Sequence, residues 1–294
     1  MSIKSLKTPL RYPGGKSKAI KTLSKWYPKT ISEYREPFIG GGSIAIDVTK
    51  TNPDIPIWIN DLYVPLYNFW VQLRDRGEEL SERVNEEKQK TLDEGDKDKI
   101  TASAKALFNK YKEEIDTYDD FEKAVAFFIM NKCSFSGLTE NSTFSQTASN
   151  SNFSLVGARK LKEFSKLIQH WKITNIDYSE VMSADGSDST FVFLDPPYDI
   201  KDFLYGKNRE MHKSFDHNLF AENVYKCKYN FMITYNVNHR LMQLYSNYEL
   251  NFWNLRYSMA HRGEKGTEDN VKQELLITNY NINPVTPIEE LLTT

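Results

Sequence analysis

Apolar positions along the chain recur with two different periods, and the alternation between them predicts the fold. Short apolar or alternating runs bounded by turn residues predict strands over 57–60, 171–176, 191–194, 229–234, 248–253 and 274–278. Apolar spacings of three and four predict helices over 43–49, 62–90, 99–111, 121–132, 157–170, 218–226 and 238–245. Strands alternating with helices imply an α/β fold, a mixed and mostly parallel sheet covered on both faces. Ligands of such sheets bind beyond the C-terminal strand ends. Between 62 and 155 the pattern changes to long charged helices, followed over 141–154 by a stretch too polar to form core. Residues 63–155 are therefore expected as an inserted helical domain, with 1–62 and 156–294 forming a discontinuous main domain.

Length and composition narrow the class. A chain of 294 residues can bury a sizeable core. No apolar run approaches the ~20 residues of a membrane span. The first residues, Met1 to Leu6, lack the apolar stretch of a secretory signal, so a cytoplasmic protein without membrane contact is expected. Cys133 and Cys227 lack ligand-like spacing and are expected as free thiols in a reducing compartment, with no metal site. The net charge is −2, but cations cluster. Arg11, Lys16, Lys18, Lys21, Lys25 and Lys29 follow one another without an acid, as do Arg159, Lys160 and Lys162. Both clusters are candidates for facing phosphates.

Three motifs carry chemistry. The tetrapeptide Asp195-Pro196-Pro197-Tyr198 follows the buried-strand pattern Phe191-Val192-Phe193-Leu194. A carboxylate and the Pro196 carbonyl can accept both N–H bonds of an aromatic amine, and Tyr198 offers a face for stacking. A strand stopped by a proline turn would read the same way. Glu36-Pro37-Phe38-Ile39-Gly40-Gly41-Gly42 leads through Ser43, expected as an N-cap, into an apolar helix. Its glycines allow close backbone approach to a ligand, and Asp61, about 20 residues on, stands where Rossmann-like sites place a ribose-binding acid. Arg11-Tyr12-Pro13-Gly14-Gly15-Lys16 combines a ring, a turn and a cation, which suits a cofactor carrying an adenine and a carboxylate and equally an ordinary surface turn. Near the end of the helix over 121–132, Phe135 either wedges into a DNA groove or anchors the inserted helices.

The order of these motifs along the chain resembles that of the Dam-like (D12 class, alpha group) DNA adenine-N6 methyltransferases, from about residue 10 to residue 280. The resemblance implies a Rossmann-like S-adenosylmethionine-dependent methyltransferase fold with an inserted target-recognition domain. Residue by residue it implies cofactor contacts from Tyr12, Gly15 and Lys16, from Pro37, Phe38, Gly40 and Gly42 on the methionine side, from Asp61 on the ribose, from Asp177 on the adenine, and from Asp195. Asp195, Pro196, Pro197 and Tyr198 would form the catalytic pocket for an adenine flipped out of duplex DNA. Lys132, Phe135, Ser136 and Glu140 in the recognition turn, with Arg159 and Lys160, are the expected DNA contacts. A cognate restriction endonuclease is compatible with this reading, and so is a monomer.

The chain also departs from the family. Where GATC-methylating relatives carry Tyr-Asn-Gly-Leu followed by Arg, it has Phe135-Ser136-Gly137-Leu138 and then Glu140. A guanine-reading arginine is replaced by a carboxylate, which could accept from cytosine N4 or avoid DNA. GATC is therefore not the expected site. The competing functions are a cytosine-N4 methyltransferase, which Asp195 disfavours because such enzymes usually carry Ser there, a non-catalytic DNA-binding protein and an RNA methyltransferase.

Overall fold

The computed structural model of the chain describes residues 5–139, 142–198, 215–256 and 271–281. Seven strands form one sheet: β1 (Glu33–Glu36), β2 (Ile57–Asn60), β3 (Trp171–Thr174), β4 (Thr190–Leu194), β5 (Asn230–Asn236), β6 (Glu249–Arg256) and β7 (Val271–Thr278). Their order is β3-β2-β1-β4-β5-β7-β6. The first five are parallel, and β7 pairs antiparallel with both β5 and β6. The chain leaves β1 in one direction and β4 in the other, so the crevice of the doubly wound sheet opens beyond these two strands.

The helices are α1 (Ile20–Leu23), α2 (Ser43–Thr51), α3 (Val64–Leu92), α4 (Lys97–Glu114), α5 (Asp120–Cys133), α6 (Gln146–Asn152), α7 (Leu155–Leu167), α8 (Tyr178–Ser183), α9 (His217–Lys226) and α10 (His239–Leu244). Helices α3 to α7 all lie within the connection from β2 to β3. None among the described residues is long and apolar enough to cross a membrane.

The central strand β1 escapes the hydrophobic pattern because it reads Glu-Tyr-Arg-Glu. Arg35 and Glu36 are buried and Glu33 half-buried, and all three are partnered, as burial of charge demands. Arg35 donates to Glu33 at 2.7 Å and to the carbonyls of Val181, Ala184 and Asp185 at 2.9, 2.7 and 2.7 Å. Its guanidinium also lies against the rings of Trp58 and Tyr229.

The expected insertion shares its core with the sheet. Trp70 of α3 meets Trp171 of β3 with ring centroids 5.7 Å apart, and Leu66, Phe69 and Phe128 belong to the same apolar cluster as Ile44, Ile57 and Phe191. A boundary at residue 63 therefore cuts through continuous packing. The stretch 141–154, expected to stay out of the core, holds α6 and buries Ala148, Ser149 and Phe153. Ser145 caps this helix by accepting from the Ala148 N–H at 3.2 Å, and the Lys88 ammonium lies 4.9 Å from the Phe153 ring centroid.

Helices α3 and α7 cross at Gly77, next to a non-helical Arg76 (φ −131°, ψ 31°). A Cβ at Gly77 would overlap Ser165 Cβ and Oγ of α7. Gly77→Ala should therefore destabilise the fold by about 1–3 kcal/mol through overpacking, although alanine favours a helix interior by about 1 kcal/mol. Ser165→Gly in the same chain should recover part of that loss. Urea unfolding measures both; a more stable Gly77→Ala protein would contradict the close crossing.

Candidate active site

The glycine loop leaves β1 at Glu36 and enters α2. Gly42, in the left-handed conformation (φ 68°), is the N-cap in place of the expected Ser43, which is the first helical residue. A Cβ there would lie 2.6 Å from the Trp70 indole. Gly40 (φ 48°) faces the Tyr12 ring so closely that a Cβ would meet Cε1 at 2.9 Å. Its N–H donates to Asp61 Oδ2 at 3.2 Å, while the Tyr63 N–H donates to Asp61 Oδ1 at 3.0 Å. The carboxylate at the end of β2 is thus oriented by the loop it faces. Burial pushes the Asp61 carboxyl up to about 7, against the Gly40 N–H. Pro37 accepts from Asn60 Nδ2 at 3.1 Å, and Phe38 packs against Tyr178 with centroids 5.4 Å apart. Asp177 is exposed and caps α8 by accepting from the Ser179 N–H at 2.9 Å.

The aromatic-Pro-Gly-Gly-Lys segment folds over the end of β4. Gly15 donates to the Tyr12 carbonyl at 3.0 Å, closing a turn in which a Cβ would strike that same oxygen at 2.9 Å. The turn delivers the Lys16 ammonium to Asp195. Lys16, expected on a cofactor carboxylate, donates to both Asp195 oxygens at 2.6 Å and to the Gly14 carbonyl at 3.0 Å. Its ammonium also lies 5.1 Å from the Tyr198 ring centroid.

Strand β4 presents the tetrapeptide at its C-terminal end. Asp195 Oδ1 also accepts from Thr234 Oγ1 at 2.6 Å, and Tyr198 donates its hydroxyl to Glu274 Oε2 at 2.9 Å. Pro196 is buried and Pro197 half-buried. Glu36 is 2% exposed and accepts from the Tyr34 hydroxyl at 2.7 Å. Its carboxyl is pushed up to about 8, mainly by burial; the Tyr34 hydrogen bond opposes this and the Asp195 charge adds to it.

One cavity of about 970 Å³ joins these parts. Its walls include Tyr12 to Lys16, the loop from Glu36 to Ile44, Asp61, Asp177, Asp195 to Tyr198 and the turn from Phe135 to Thr139. The recognition turn therefore borders the same space as the glycine loop. Phe135 is 63% exposed and so is not a buried anchor for the inserted helices, and Ser136 holds a positive φ of 55°. Lys132, expected to face DNA, instead turns its ammonium inward. It donates to the Pro9 carbonyl at 2.5 Å and lies 5.0 Å from the Phe128 ring centroid, and burial pushes it down to about 7. Arg159 and Lys160 lie on α7 and do not line the cavity. Glu140 falls outside the described residues. Thr234, Glu274 and the cavity-lining Asn236, whose Oδ1 has no hydrogen-bond partner among the described residues, were not singled out by the sequence. The one signal was a polar Thr and Asn in the otherwise apolar 231–236 run. Among the described residues no cluster of His, Cys, Asp or Glu is arranged to hold a metal ion.

The raised Glu36 carboxyl has a measurable consequence. Between about pH 4.5 and 8 the folded chain keeps a proton that the unfolded chain releases, so stability falls as pH rises through that window and the full penalty stands above it. Asp61 acts in the same direction. Glu36→Gln keeps the shape and removes the titration, so its thermal midpoint should decline less than that of the wild type between pH 5 and 8. Parallel declines would contradict a protonated Glu36.

Residues 12–259 match the family described as D12 class N6 adenine-specific DNA methyltransferase. The type II methyltransferase M.MjaIII of Methanocaldococcus jannaschii is 24% identical over 200 residues, covering 64% of this chain and 68% of that protein. The type II methyltransferase M1.LlaDCHI of Lactococcus lactis subsp. cremoris is 24% identical over 194 residues, covering 64% of each chain. With the match spanning the N-terminal Tyr12, the glycine loop, Asp61 and the tetrapeptide, the chain belongs to the D12 class N6 adenine-specific DNA methyltransferase family.

Proposed function

We propose that the protein transfers a methyl group from S-adenosylmethionine to N6 of an adenine turned out of duplex DNA. The observation that carries this reading is the shared cavity, in which the Asp195 carboxylate at the end of β4 faces the same space as the glycine loop and Asp61. Its volume of about 970 Å³ lies at the upper end of the roughly 300–1,000 Å³ usual for ligand pockets, which suits a cofactor and a base together. The donor set fits the cofactor: Asp61, on the cavity wall, is held by two backbone N–H groups and would meet a ribose diol, and Phe38 and the open backbone of Gly40 to Gly42 also line the cavity. Bound there, S-adenosylmethionine would supply an electrophilic methyl on a sulfonium; the C–S bonding pair would depart with the thioether, and the proton released by the methylated nitrogen would pass to water.

The chain's own groups do the rest. Asp195 and the Pro196 carbonyl accept the N–H bonds of the amine and draw its lone pair out of the ring. Tyr198 stacks on the base, its ring fixed through Glu274. Lys16 and Thr234 hold the carboxylate still, so catalysis rests on positioning and preset electrostatics. Phe135, exposed and lining the cavity, would fill the gap left by the turned-out base, and residues 63–155 would supply target recognition.

Purified protein, duplex DNA and methyl-labelled S-adenosylmethionine test this directly. Asp195→Ala should lower kcat by roughly 100–1,000-fold with DNA binding retained. Asp61→Ala should weaken cofactor binding by about tenfold or more in calorimetry. A wild type that binds DNA without transferring label would instead support a non-catalytic DNA-binding protein.

A further inference from the structure

We infer that Thr234 is the positioning residue that breaks the symmetry of the Asp195 carboxylate, leaving Oδ2 as the oxygen that accepts the N–H of the target amine. The inference rests on the reading of Asp195 as the amine acceptor. Lys16 Nζ lies 2.6 Å from each carboxylate oxygen, so the lysine grips both alike and cannot select one. The terminal torsion of an aspartate is broad and roughly two-fold. Gripped only by a symmetric partner, the carboxylate plane could swing and the two oxygens exchange.

Thr234 supplies the asymmetric contact. It lies on β5, one residue beyond the last registered pair with β4, Leu194 and Ile233, so it stands beside Asp195 on the neighbouring strand. Its hydroxyl donates to Oδ1 alone, at 2.6 Å. Each carboxylate oxygen offers about two lone-pair sites. Lys16 and Thr234 occupy those of Oδ1, whereas Oδ2, among the described residues, accepts from Lys16 only. One acceptor site therefore remains, and it is on Oδ2. Thr234 is itself fully buried between Ile233 and Tyr235, also fully buried. A buried hydroxyl without a partner would be penalised, so its place in an apolar strand is explained by the carboxylate it serves.

The test is steady-state methyl transfer to duplex DNA by wild type, Thr234→Val and Thr234→Ser, with thermal unfolding in parallel. Val keeps the shape and loses the donor; Ser keeps the donor. Thr234→Val should lose roughly 10–100-fold in kcat, the size expected for a hydrogen bond to a charged group. Its KM values for cofactor and DNA should stay within about threefold, since only the chemical step is affected. Thr234→Ser should return to within about fivefold of wild type. Should Thr234→Val not fold, Thr234→Ala takes its place with the same expected loss. An active wild type with an undiminished Val variant overturns the inference alone, as does a Ser variant that falls as far as Val, which would mark a packing role. A wild type inert toward DNA overturns the functional reading and this inference with it.

Discussion

A lysine from the N-terminal segment and an aspartate 179 positions later share a proton-rich contact of 2.6 Å at the end of the fourth strand, and the site is organised around it. Lys16 is 4% exposed, so the pair is largely withdrawn from water on the cation's side. Such a pair is favourable only with good geometry and further hydrogen bonds. Both are present: Gly14 accepts from the ammonium, and Thr234 donates to the carboxylate. The segment carrying Lys16 reaches three functional parts within six residues. Arg11 exchanges main-chain hydrogen bonds with the Asn131 side chain, which also donates to Gly137 in the recognition turn. Tyr12 lies on Gly40 and Lys16 on Asp195. The turn that would meet DNA, the loop that would cradle the cofactor and the carboxylate that would hold the amine are thus connected through one short stretch of chain.

Most of the fold follows from local patterning. The apolar runs at 191–194 and 229–234 become β4 and β5, and the long periodic helices fall close to their expected bounds. Local patterning fails at β1, where the central strand is three-quarters polar and its burial is compensated by partners nearly 150 residues away, such as Ala184 and Asp185. It also fails at α6, which is short and polar and gains its place from a serine cap and from Phe153. The charged helices suggested a separate inserted domain because charge marks their solvent faces. Their inward faces, with Leu66, Phe69 and Trp70, complete the core of the sheet.

The candidate site is legible where its residues are adjacent in sequence: the tetrapeptide and the glycine loop, with Asp61, all line the one cavity. It is not legible where a side chain's role depends on a distant partner. Lys16 reads in the sequence as a partner for a cofactor carboxylate, whereas the fold pairs it with Asp195. Lys132 has the composition of a phosphate contact, yet its position at the end of α5 aims it at Pro9. Thr234 and Glu274 show no motif at all; strand pairing alone places them beside Asp195 and Tyr198. The family match names the chemistry, and these contacts describe how the chain arranges it.

In the proposed reaction the cavity holds an adenine whose N6 faces Asp195. Nucleoside mass spectrometry of duplex DNA treated with the purified protein and methyl-labelled S-adenosylmethionine tests it most directly. The account predicts label in N6-methyladenine. Label in N4-methylcytosine, or none in DNA, would contradict it.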